Sequence, residues 1–159
     1  FIRLGTFLER ADNTARLLDV KSLTAENMLE QGHDSVDDFY YWAAILRSVS
    51  AFEIYRKVYR DVITPERVAD LLILRSDMPR SLSACVGEVV DLLGKIKNSQ
   101  SSKTITQARN LLAQLRDAHI GEILEQGLHA FLTDFLVRIN GVGSGISRDF
   151  LLPMEEMAA

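Results

Sequence analysis

Phe1, Leu4, Leu8, Ala11, Ala15 and Leu18 follow one another at alternating steps of three and four residues, and no proline interrupts them. That spacing keeps an apolar seam on one side of an α-helix and excludes a strand, whose inward positions alternate in twos. The register continues through Ala25 and Leu29. One helix is therefore expected from about Phe1 to Glu30, roughly 45 Å long at the standard rise. A helix of this length with a single seam needs other helices to cover it, so the chain is committed early to helix-on-helix packing.

Beside the seam runs a second stripe: Gly5, Glu9, Asp12, Arg16 and Asp19, also three or four residues apart, with Ile2, Leu17 and Val20 on its far side. Charges flanked by apolar residues on both sides are expected to be partly buried. Asp12 and Asp19 each stand one turn from Arg16, the spacing at which helical side chains meet. Arg10 is expected to point away, towards the face of Arg3 and Lys21. One account of the stripe is a self-neutralising ion network, which must be hydrogen-bonded throughout because an unpaired buried charge is costly. The other is a polar pocket in which Glu9, Arg10, Asp12, Arg16 and Asp19 hold an amine or a carboxylate, a role for which the planar guanidinium is suited.

The rest of the chain repeats the helical pattern. Gln31 to Ser35 reads as a stop and loop, with Asp34 or Ser35 as cap and Asp37 and Asp38 at the positive helix start. A second helix is expected to reach about Arg60 on the aromatic-rich seam of Trp42, Ile45, Leu46, Val49 and Phe52, with Glu53 and Arg56 spaced for an ion pair near the buried arc. Thr64-Pro65 opens a short third helix. A fourth begins at Pro79, and a fifth, capped by Thr104, reaches about Ala118. Lys97 to Lys103 is expected to be a flexible loop. A sixth helix carries Leu124, Leu128, Phe131, Phe135, Ile139 and Val142, and the glycines from Gly141 to Gly145 are expected to fray or kink its end. The fold expected is all-α, an antiparallel bundle of about six helices over residues 1–152, with the first, second and last long helices as its main layer and a mobile tail at 153–159.

Few motifs carry chemistry. Arg80 and Ser81 stand at a helix start, where backbone N–H groups attract anions, although ordinary capping explains the same serine. Gly141-Val142-Gly143-Ser144-Gly145 lacks the preceding strand that a nucleotide loop needs. His119 with Glu122, and Glu125 with His129, do not reproduce the Glu-x-x-His pairs of di-iron bundles, so His129 is expected to be a packed core histidine, and neither metal nor cofactor is expected.

A chain of 159 residues with 47% hydrophobic content suits one domain with a sizeable core. Its net charge of −4 argues against nucleic-acid or anionic-membrane binding. A single cysteine, Cys85, excludes an intrachain disulfide and suits a reducing compartment. With no apolar run long enough to span a bilayer, a soluble cytoplasmic protein is expected. The chain starts at Phe1 already in heptad register, which suggests a piece of something longer.

The run from Leu4 to Asp19 is similar to the Glu-Arg signature of the alpha-E domain family of bacterial proteins. The similarity continues at Trp42 to Ser48, Phe52 to Tyr55, Pro79 to Ser81 and Gly127 to Leu132. The resemblance implies an all-helical domain, usually duplicated in tandem, of which this chain resembles the second copy. It also implies association with a peptide synthesis or modification system containing ATP-grasp ligases, transglutaminase-like proteins and a peptidase of the N-terminal-nucleophile type. The expected function is an accessory or recognition domain of that system, binding a peptide or a partner protein. The first copy of the domain, a homodimeric partner, or an ATP-grasp or transglutaminase-like protein are the partners so implied. The alternatives are an enzyme of the pathway, using the Glu/Asp/Arg pocket of the first helix, and a carboxylate/histidine metal-binding bundle.

Overall fold

A computed structural model describes the backbone of residues 1–30 and 35–151 and the side chains of 1–20 and 39–151. Among these residues the chain is all-helical. The elements are α1 (Ile2–Glu30), α2 (Ser35–Ser48), α3 (Phe52–Tyr59), α4 (Pro65–Ile73), α5 (Leu82–Ile96), α6 (Ser102–Asp117), α7 (Ile120–Gln126), α8 (Leu128–Ile146) and a closing π-helical turn (Ser147–Leu151). The expected stop at Gln31 to Asp34, the side chains of Asp37 and Asp38, and the tail from Pro153 lie outside the described residues.

The seam of α1 is the spine. Leu4, Ala11, Ala15 and Leu18 are buried, whereas Phe1 is exposed and only stacks on Phe150 at 5.7 Å. Against this seam pack α5 and α8, and α6 completes the main layer by packing on both of those. The expectation that the second helix belongs to that layer is corrected, because it is not one helix. It breaks at Ser50, whose φ of 56° is left-handed, and the N–H of Ala51 closes the end by donating to the carbonyl of Leu46 at 2.7 Å. The two short pieces, α2 and α3, contribute Trp42, Ile45, Leu46 and Tyr55 to the core instead of a long layer. Glu53 and Arg56, on the outer side of α3, are exposed and form no ion pair with each other.

Elsewhere the caps decide the boundaries. Thr64 accepts from the N–H of Arg67 at 3.3 Å with Pro65 behind it, and α4 starts there as the sequence predicts. Ser81, not Pro79, opens α5, its hydroxyl accepting from the N–H of Ala84 at 3.0 Å. The expected long last helix is divided by Gly127, whose φ of 108° an L side chain rarely adopts, into α7 and α8.

Three expectations at the far end of the bundle are corrected together. The stretch 97–103 is tied down, with Asn98 donating through Nδ2 to the carbonyl of Asp149 at 3.0 Å and Ser101 donating to the carbonyl of Asn98 at 3.0 Å. Thr104 does not cap α6. It lies inside the helix, fully buried, and donates to the buried carboxylate of Asp149, which also accepts from Arg148 Nε at 2.9 Å. The glycine-rich stretch is helical because Val142 and Ile146 bury there and because Gly145 lets α6 approach, since a Cβ on Gly145 would stand 2.3 Å from Thr104 Oγ1.

Candidate functional site

The polar stripe of α1 does not form one site. Its supposed apolar cover is open at both ends, Ile2 being 89% and Val20 61% exposed, and only Leu17 packs against the core, so the stripe is not enclosed as one pocket although Asp12 and Asp19 are themselves mostly buried. Arg16 pairs with Asp12 at 2.8 Å from an exposed position, and that hydrogen bond raises the guanidinium pKa above its already high ordinary value. Asp12 keeps its other carboxylate oxygen, Oδ1, buried without a hydrogen bond among the described residues. Asp19 meets His129 Nδ1 across α1 and α8 at 2.5 Å. His129 is therefore half-exposed and engaged with a carboxylate, which corrects the packed core histidine. Among the described residues no three of His, Cys, Asp and Glu gather closely enough to hold a metal ion.

Glu9 and Arg10 go elsewhere. Both line an open groove of about 480 Å³ together with Thr6, Asn13, Thr14 and Leu17 of α1, Ser48 and Val49 at the end of α2, and Arg80. Thr14 explains how Arg80 arrives there. Its hydroxyl, buried on the side of α1, donates to the carbonyl of Arg80 at 3.0 Å and pins the turn before α5 against the first helix. That turn is braced from within by Ser81, whose hydroxyl also donates to the carbonyl of Arg75 at 2.6 Å. Ser81 is thus buried and committed to the backbone, while Arg80 beside it is exposed with its guanidinium free of any carboxylate among the described residues.

Arg10 is half-buried and sits over the ring of Phe7 at 5.3 Å, with no carboxylate partner among the described residues. Arg10 and Arg80 both act on the thiol of Cys85. Burial pushes that thiol up to about 11, and the two positive charges only partly oppose the shift. Arg10 and Arg80 both line the groove, with Glu9 exposed beside them. Two arginines and a carboxylate lining one groove with Leu17 and Val49 can hold a carboxylate and orient an amine or amide beside it.

Of the residues singled out in the sequence, the structure joins Glu9, Arg10 and Arg80 and leaves Asp12, Arg16, Asp19 and Ser81 in contacts of their own. Asn13, Thr14 and Ser48 were missed. A threonine next to a buried seam is a sign that its hydroxyl needs an acceptor, but nothing local names a carbonyl sixty-six residues away.

The dipeptide Glu-Arg occurs twice. At Glu66-Arg67 the arginine is taken by Asp61 at 2.8 Å, whereas Glu9-Arg10 faces the groove. The profile of the Alpha-E family, described as a predicted alpha-helical domain with a conserved ER motif, matches residues 1–151. No curated protein and no solved structure matches the chain. Since the match runs from the helix that carries Glu9-Arg10 to the closing π-helical turn, the chain belongs to the Alpha-E family.

Proposed function

We propose that this domain is the recognition part of a bacterial peptide synthesis or modification system, and that it holds a peptide, or a peptide segment of a partner protein, in the groove at Glu9, Arg10 and Arg80. The observation that carries this reading is that Arg10 and Arg80, from distant parts of the chain and without carboxylate partners among the described residues, line one open groove with Glu9. Arg16, Arg67 and Arg75, which line neither side of this groove, are each held by an aspartate. An ATP-grasp ligase or a transglutaminase-like enzyme is the partner that suits the proposal, because both act on carboxyl or amide groups of peptides. A second copy of the domain, in one longer chain or as a homodimer, belongs to the same proposal on family grounds.

The test starts from peptides that co-purify with the protein and are identified by mass spectrometry, then resynthesised and titrated by calorimetry. Arg10→Gln and Arg80→Gln are each expected to weaken binding about ten-fold or more, the usual cost of losing a hydrogen bond to a charged group. A folded double variant that binds as tightly as the parent would overturn the proposal.

A further inference from the structure

Buried hydroxyls in this fold have partners, with one exception. Among the described residues five serine and threonine side chains are buried. Thr14 donates to the carbonyl of Arg80, Ser81 to that of Arg75, Ser101 to that of Asn98 and Thr104 to the carboxylate of Asp149. The fifth, Ser83, is 4% exposed, and its hydroxyl neither donates nor accepts among the described residues. A buried polar group without a hydrogen bond is uncommon and points to something outside the chain that completes it.

Ser83 stands in the first turn of α5 and lines an open hollow of about 460 Å³. The N–H groups of that turn are incompletely used as well. Ser81 accepts from Ala84, but no group of the described residues accepts from the N–H of Leu82 or of Ser83. Helix starts of this kind hold oxyanions, because free N–H groups and the positive end of the helix dipole coincide there. In α5 the hydroxyl of Ser83 adds a third donor. Arg116, near the end of α6 and without a carboxylate partner among the described residues, lines the same hollow.

The lining as a whole is not positive, since Arg3, Arg10 and Arg116 are matched by Asp77, Glu88 and Asp91. None of these carboxylates uses the donors of α5. Both oxygens of Asp77 accept from Arg75, at 2.9 and 2.8 Å, and Glu88 faces Arg3 at 3.7 Å. Asp91 stands two turns along the helix from Ser83, about 12 Å away at the standard rise. What distinguishes the hollow is therefore the set of unused donors at one end of it.

We propose that the start of α5 binds a phosphate-type oxyanion, free or as the end group of a phosphomonoester. The N–H groups of Leu82 and Ser83 and the hydroxyl of Ser83 hold it, with Arg116 as the counter-charge. Three donors suit a tetrahedral anion with three free oxygens better than a flat carboxylate with two. The site is separate from the groove of Glu9 and Arg80, which shares only Arg10 with this hollow, so either can fail without the other.

The experiment follows the backbone amide resonances of the protein by NMR while inorganic phosphate, phenyl phosphate, acetate or chloride is added at constant ionic strength. The resonances of Leu82 and Ser83 are expected to shift and saturate with the two phosphates and not with chloride. Stronger binding of phenyl phosphate than of inorganic phosphate assigns the end group of an ester, and the reverse assigns the free ion. Ser83→Ala and Arg116→Gln are each expected to weaken binding about ten-fold. Circular dichroism checks that both variants are folded, and the shifts in the parent protein locate the site without either. Resonances of Leu82 and Ser83 that phosphate leaves unmoved refute the site and leave the hydroxyl to water. Acetate binding as tightly as phosphate refutes the phosphate class, and a folded Ser83→Ala protein that binds like the parent refutes the assignment to α5.

Discussion

Cys85 shows how a single residue records the field of the groove without taking part in it. It is fully buried on α5, its thiol faces the carbonyl of Pro79 at 3.7 Å, and burial outweighs the nearby Arg10 and Arg80 in raising its pKa from 9.0 to about 11. The neutral thiol is the form the fold prefers. Its contribution to stability is present below pH 9 and lost as the pH rises towards about 11, because the thiolate is disfavoured in the folded state more than in the unfolded chain. The native protein is therefore expected to resist thiol reagents at pH 8 and to react fully only in denaturant. Cys85→Val is expected to remove part of the alkaline loss of stability between those two values, measured as melting temperature against pH. Rapid modification of the native thiol would refute this account. At this scale the sequence was informative only in part. Glu9 and Arg10 stood out because they sit on an amphipathic helix, but the hydrogen bond from Thr14 that brings Arg80 beside them is a tertiary fact with no local signature.

Helices announce themselves in this chain more clearly than the breaks between them. The seam of α1, the Thr64-Pro65 start of α4 and the apolar faces of α5 and α6 were legible because period and capping chemistry are local. The break after α2 was not, because Ser50 takes a left-handed conformation in which glycine is the usual residue, and so carries no sign of it. Arg60 repeats the case at the end of α3, with φ of 49°. What holds these turns is packing on both sides. Tyr55, fully buried, donates to the carbonyl of Val62 at 2.8 Å and accepts from the N–H of Thr64 at 3.2 Å, fixing the connection to α4. A left-handed non-glycine residue costs about 1 kcal/mol. Ser50→Gly is expected to stabilise the protein by up to about that amount, less whatever the extra freedom of the unfolded chain takes back. Urea unfolding measures it, and a clear loss of stability would show that the serine side chain contributes more than its backbone strain costs.

On the scale of the whole molecule the core has two parts, and the question is whether they unfold together. One cluster gathers Ala11, Leu18, Trp42, Tyr55, Leu72 and Phe135 near the groove, and the other gathers Leu4, Val89, Leu93, Ile105, Val142 and Ile146 at the end closed by Thr104 and Asp149. They are not separate domains in the physical sense, because Phe7, Leu8 and Val90 pack against both, and because α1, α5, α6 and α8 run through both. Separating them would expose those shared side chains without freeing either half to fold alone. The same continuity carries rigidity from the far end to the groove, whose walls come from α1 and the turn held to it by Thr14. Trp42, the only tryptophan, is buried in the first cluster and reports on it by fluorescence. Circular dichroism reports on all the helices at once. The two signals are expected to change at the same urea concentration with one transition. Thr104→Val, which removes the hydrogen bond to Asp149 in the far cluster, is then expected to shift both signals by the same amount. A variant in which helicity is lost first while Trp42 remains buried would show that the far end opens alone, and that the groove rests on the near cluster only.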